Sequence, residues 1–218
     1  MLSLSMPILS YLLLAFLFFS NAYSATRADF SQYRVGFNNR GLFQILIDDL
    51  VREFEQKVNV AYGEGLQAKA DKIVIDEDLM DKYLGEVESP KEREAIARFI
   101  LAHEYFHVAL KHTQTDAYGK TPREIQILGK YVDARKQMER QVDYLAAKYL
   151  YKLELPTQPV QQMLLKHLEF HGGEEYPTAQ ERAELITQAK ENGIEKSHFD
   201  NTVMKCTFLL SSLITKFH

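Results

Sequence analysis

Three times along the chain a hydroxyl residue stands three places before a glutamate at the head of an apolar-periodic run: Ser89-Pro90-Lys91-Glu92, Thr121-Pro122-Arg123-Glu124 and Thr178-Ala179-Gln180-Glu181. In such a box the hydroxyl accepts from a first-turn N–H and the glutamate reaches back to the N–H of the capping residue, so a helix start is written into the sequence. Proline at the first helical position of two boxes fits, because its missing N–H would have no helical partner there. The boxes predict a helix from Ser89 through LAHEYFHVALKHT (residues 101–113), a long helix from Thr121 to about Lys152, and one from Thr178 that Gly193 ends. Pro159 predicts a further helix stopping at Gly172-Gly173, and the stripe Phe43, Leu46, Ile47, Leu50 and Phe54 predicts one over about Leu42 to Val58. The clear strand signal is Lys72-Ile73-Val74-Ile75, behind Gly63 and Gly65, so residues 58–76 read as a small hairpin or short sheet. The expected fold is mainly α with a small β element, an α+β arrangement in one domain over residues 25–218.

Size and charge narrow the field further. At 218 residues and 46% hydrophobic, the chain can bury a real core in one domain and hardly in two. A formal net charge of −4 without a basic stripe argues against nucleic acid as a partner. The first 24 residues, MLSLSMPILSYLLLAFLFFSNAYS, contain no charged side chain. Their apolar stretch from Ile8 to Phe19 has the length of a signal-peptide core, and Ala22 and Ser24 supply small residues at −3 and −1 of a cut before Ala25. No Lys or Arg precedes the apolar stretch, which leaves a rival reading: an uncleaved anchor from about Leu2 to Ala22 that would associate the chain with a membrane. Either way the expectation is export, to the periplasm or beyond. Cys206 is the single cysteine and has no internal disulfide partner; among the apolar residues of VMKCTFLL it reads as packing. An exported domain without a disulfide depends on its core, and a bound metal would help.

Within LAHEYFHVALKHT, His103 and His107 stand four apart and so lie one above the other on a helix face, where two imidazoles can reach one ion. Glu104, about 100° further round, can serve as a base beside that ion without ligating it. This is the H-E-x-x-H arrangement of zinc peptidases. Ile96, Phe99, Ile100 and Leu110 share the histidine stripe, so the imidazoles face inward. Zinc at a catalytic site takes three protein ligands, and a third histidine at the extended spacing is absent because Leu110 and Thr113 occupy those places. The next helix offers Glu139 on the apolar stripe Leu128, Val132, Val142 and Ala146, where a carboxylate needs a cation, and Asp143 one turn on could fix the tautomer of a ligand imidazole. His167 and His171 also stand four apart, but no carboxylate follows His167 directly and Gly172 ends the helix; they read as a surface or capping pair.

HEYFHVALKHT, with His112 five after His107, followed by MERQVD and then YPTAQER, resembles the gluzincin metallopeptidase family of the CAAX prenyl protease and the HtpX heat-shock protease, in particular its soluble exported branch, to which BepA belongs. The resemblance spans about residues 60–190. It implies a zincin-like domain, one zinc per chain held by His103, His107 and Glu139, and Glu104 as general base, with Asp143 and Arg182 in support. Tyr176 replaces the histidine of the family's His-Pro pair, Val142 its usual alanine, and Gln141 a frequent acidic residue. A phenol at 176 can donate a hydrogen bond to an oxyanion, or simply pack its ring under the Pro177 turn. The implied activity is hydrolysis of protein or peptide substrates outside the cytoplasm. The rival is a binding or chaperone module stabilised by zinc and catalytically silent.

Overall fold

A computed structural model describes residues 28–112, 122–167 and 176–191, with side chains from residue 135 onward in the second stretch. Its centre is a single helix, α3 (Pro90–Ala109), in which residues on every face are buried, from Glu94 to Val108 with Glu104 as the exception. The inward stripe expected from periodicity is thus too narrow a description. A helix covered all round needs apolar residues all round, and Ala95, Ala97, Leu101, Ala102, Tyr105 and Phe106 provide them. The start at Ser89 and Pro90 is as expected, but the Ser89 hydroxyl makes no cap bond. Its carbonyl accepts from the N–H groups of Glu92 and Arg93 instead.

Around α3 pack α1 (Arg40–Phe54), α2 (Glu77–Leu84), α4 (Pro122–Lys152) and α5 (Gln158–Lys166), while α6 (Ala179–Glu191) packs on α4 and α5. α1 buries Phe43, Leu46, Ile47 and Leu50. It ends at Phe54, short of the expected Val58, because Glu55 turns left-handed (φ 58°) and donates its N–H to the Val51 carbonyl. α2 goes beyond the helices expected from the sequence; Asp76 caps it, accepting from the Leu79 N–H at 3.0 Å, and Met80, Tyr83 and Leu84 are its buried face. α5 stops at Lys166 rather than at Gly172-Gly173, and its C-cap His167 is buried, not on the surface: Nε2 lies 2.8 Å from Glu86 and the ring stands edge-on to Tyr83. The Thr178 box of α6 is formed in full, with the Glu181 N–H donating to the Thr178 hydroxyl at 3.2 Å and the Thr178 N–H to Glu181 at 2.7 Å. The expected features at Thr121, Gly172, Gly173, Gly193, Cys206 and the N-terminal segment lie outside the described residues, as do His171 and the side chains of Leu128 and Val132.

The β element is a three-stranded sheet in the order β1 (Asn59–Tyr62), β3 (Lys72–Ile75), β2 (Gln67–Lys69). β1 runs parallel to β3 with Val60 opposite Ile73, and β2 antiparallel with Ala68 opposite Ile73. The reading of residues 58–76 therefore resolves into a β2–β3 hairpin with β1 added on its far side. Gly65, at φ +82° where a side chain would be strained, lets its N–H reach Asp76 at 2.7 Å. Arg98, 4% exposed, ties three helices together through Glu94, Asp49 and the Tyr149 hydroxyl. The described chain is mainly helical with a small sheet, and no described helix is long and apolar enough to cross a membrane.

Candidate metal centre

The four-residue spacing on α3 does bring the two imidazoles together: Nε2 of His103 and Nε2 of His107 are 3.2 Å apart. From α4, Glu139 Oε2 lies 3.3 Å from each of them. The three atoms form a nearly equilateral triangle, and all three residues are buried. Ligand atoms about 2.0–2.1 Å from a tetrahedral ion would stand roughly 3.3–3.4 Å from one another, so the triangle is the right size for three corners of such a shell. The donor set fits as well. Two imidazole nitrogens and a carboxylate oxygen stand at the corners of that triangle, and the other oxygen, Glu139 Oε1, is buried without a hydrogen bond. Arg135 Nη2 lies 3.0 Å from that oxygen, close enough for an ion pair but not aligned as a hydrogen bond. The group could therefore hold a metal ion.

Electrostatics point the same way. Burial alone would lower the pKa of His103, but hydrogen bonds to Asp143 and Glu139 outweigh it and push the imidazole up to about 10. Burial would likewise raise Glu139, yet the two histidines hold its carboxyl well below the ordinary range. The pocket keeps a positive charge at its centre: a proton, unless another cation takes the place.

Asp143, with no exposed surface, stands behind this centre. It lies 2.9 Å from His103 Nδ1 and accepts both Nε and Nη2 of Arg182 at 2.6 Å, the bidentate fork that guanidinium makes with carboxylate. Burial pushes the Asp143 pKa up, but the charge of Arg182 and the bond to His103 hold it down, so Asp143 stays anionic. An anionic acceptor requires the hydrogen of His103 on Nδ1 and turns the Nε2 lone pair toward the triangle. Arg182 is 8% exposed and gives both of those nitrogens to Asp143, which sets it behind the imidazole rather than toward an incoming molecule.

Glu104 is half-buried and makes no hydrogen bond to a described residue, though its charge is felt by His103 and Arg182. Tyr176, also half-buried, is joined to the centre through Arg135, whose guanidinium lies 5.6 Å from the ring centroid. Thus His103, His107, Glu139, Asp143 and Arg182 form one connected group, with Tyr176 linked at one remove. Two further members join the group beyond those the sequence points to. Arg135 precedes Glu139 by four residues on the same helix, and that i, i+4 spacing was the available signal. His112 is 5% exposed and has its Nδ1 3.2 Å from Nδ1 of His107; burial and the neighbouring His107 push its pKa down to about 3, so it is neutral. No protein-family model matches the chain, and neither a curated protein nor a solved structure matches it.

Proposed function

We propose that the chain is a zinc-dependent endopeptidase of the gluzincin kind, with a zincin-like domain, hydrolysing proteins or peptides outside the cytoplasm. The observation that carries the reading is the buried triangle of His103, His107 and Glu139, with a free carboxylate, Glu104, next in sequence to one of its corners. Two imidazoles and a carboxylate suit zinc, whereas calcium and magnesium prefer shells of oxygen alone. Zinc, when bound, polarises a scissile carbonyl and makes water a nucleophile at neutral pH. Glu104 takes a proton from the attacking water as its oxygen bonds to the carbonyl carbon, then delivers that proton to the departing amine nitrogen as the C–N bond breaks. Asp143 keeps His103 in the tautomer that ligates, and Arg182 keeps Asp143 charged and in place. Tyr176 is the candidate donor to the oxyanion, since its hydroxyl makes no hydrogen bond to a described residue.

Casein cleavage abolished by a chelator and restored by one equivalent of zinc tests the reading, with Glu104→Gln as the control. That variant should keep zinc and lose turnover, because an amide does not accept the proton. Full activity in Glu104→Gln would put the base elsewhere. A wild-type chain that binds zinc and cleaves nothing would be the silent, zinc-stabilised binding module instead.

A further inference from the structure

α3 ends at Ala109, and the chain then makes a tight turn through Leu110 (φ −86°, ψ 0°) and Lys111 (φ 60°). The turn is closed by the Lys111 N–H donating to the Val108 carbonyl and by the Leu110 N–H donating to that of Phe106. Lys111 occupies a left-handed conformation that a lysine adopts at a cost and a glycine would adopt freely. What the turn achieves is visible one residue on. Had the helix continued, His112 would sit about 140° round from His107 and could not meet it. Instead its ring is folded back and buried, edge-on to His107 at 5.2 Å between centroids, with the two Nδ1 atoms 3.2 Å apart.

Between two ring nitrogens at that distance one carries the hydrogen and the other accepts it. Nε2 of His107 faces His103 and Glu139, so as a ligand it must present a lone pair, and the hydrogen of the neutral ring is then on Nδ1. A buried donor needs an acceptor, and among the described residues Nδ1 of His112 is the one within reach. We propose that His112 is a positioning residue: its Nδ1 accepts from Nδ1–H of His107 and so holds the second imidazole of the metal site in its ligating tautomer and orientation. It does for His107 what Asp143 does for His103, with one difference. Asp143 is an anion held by an arginine, whereas His112 is a neutral ring. The two histidines therefore have unequal backing.

The proposal rests on the metal reading above, and the test separates the two. In the purified full chain, zinc affinity is measured by competition with a chelating dye for wild type, His112→Phe and His112→Asn. The phenyl ring keeps the buried bulk and removes the acceptor; the asparagine keeps an acceptor near the Nδ1 position. Zinc affinity should fall about 10- to 100-fold in His112→Phe and return to within a few-fold of wild type in His112→Asn. Alongside, long-range nitrogen–proton NMR of the metal-free wild type should show His107 protonated on Nδ1, a signature that bulk alone does not set. Unchanged affinity in His112→Phe, or equal losses in both variants, would overturn the proposal. If wild type bound no zinc, the metal reading would fall by itself. The NMR arm would then decide: His107 protonated on Nε2 ends the proposal, and on Nδ1 the hydrogen bond to His112 stands.

Discussion

Replacing Arg182 by methionine removes the charge that supports Asp143 and keeps most of the apolar stem. In the wild type the pair is a two-point fork at 2.6 Å between groups that are 8% and 0% exposed, so solvent screens it little. With the guanidinium gone, Asp143 keeps one partner, His103, and one of its oxygens loses its hydrogen bond. Leaving a buried charge without its partner costs about 3–5 kcal/mol. In a chain of this size that lowers Tm by roughly 6–20 °C. The sign of the pH dependence follows from Asp143. Its folded pKa lies below the ordinary 3.8, so its contribution to wild-type stability is complete above that value and is lost as pH falls through the folded pKa. Methionine at 182 removes the main support for the anion, so Asp143 in the variant accepts a proton at higher pH than in the wild type, and a protonated Asp143 no longer needs the arginine. The gap in Tm between wild type and Arg182→Met, read by calorimetry of the metal-free proteins, should be widest near pH 7 and close as pH falls below about 4. A gap under about 2 °C at pH 7, or one that does not change with pH, would show that the fork does not hold Asp143.

Other consequences are as direct. If zinc takes the place of the proton that His103 holds up to about pH 10, the stabilisation on adding zinc, read from the shift in Tm, should grow with pH by at most ~1.4 kcal/mol per unit. The sign follows from the raised pKa: the imidazolium stabilises the metal-free fold fully below 6.5 and less and less toward 10, so a flat difference between pH 6.5 and 9 would refute it. Tyr176→Phe keeps the ring under Arg135 and deletes the hydroxyl; if that hydroxyl holds the oxyanion, kcat should drop by about 10² or more at unchanged zinc content, and an unaltered kcat would leave the ring as packing. If the N-terminal segment is a cleaved export signal, N-terminal sequencing of the mature protein should begin at or near Ala25, whereas an intact Met1 in the membrane pellet would favour the anchor.

Most of the helices were legible because their starts are chemical. The Thr178 box forms as its sequence says, and Pro90 opens α3 even though the Ser89 hydroxyl is idle. Ends were less legible. Glu55 at φ 58° closes α1 with a residue that gives no warning, where a glycine would have announced the turn. The short α2 is not legible although Asp76, Glu77 and Asp78 are a fair N-terminal signature, because eight residues carry too few apolar positions to establish a period. For the candidate metal site the contrast is sharper. His103, His107 and Glu139 sit inside helices, where spacing alone decides which face a side chain takes. His112 is beyond the helix end, and what aims it is the left-handed Lys111, which no residue type at 111 except glycine or asparagine would have revealed. Arg135 was hidden for another reason: Glu139 on its apolar stripe needs a cation, and a metal ion meets that need as readily as an arginine four residues before it.

α3 is in contact with α1, α2, α4, α5, β2 and β3 as well as the 3-10 turn at Phe30–Gln32. A helix with neighbours on every side cannot fray or swing out as a unit while they stay folded, since each would lose the surface it packs on. His103 and His107 thus lie on a helix enclosed by its neighbours among the described residues. An ion held there would lose His103 and His107 only by direct release or by collapse of the elements around α3, so any helix movement that let it go would have to come from α4, which carries Glu139.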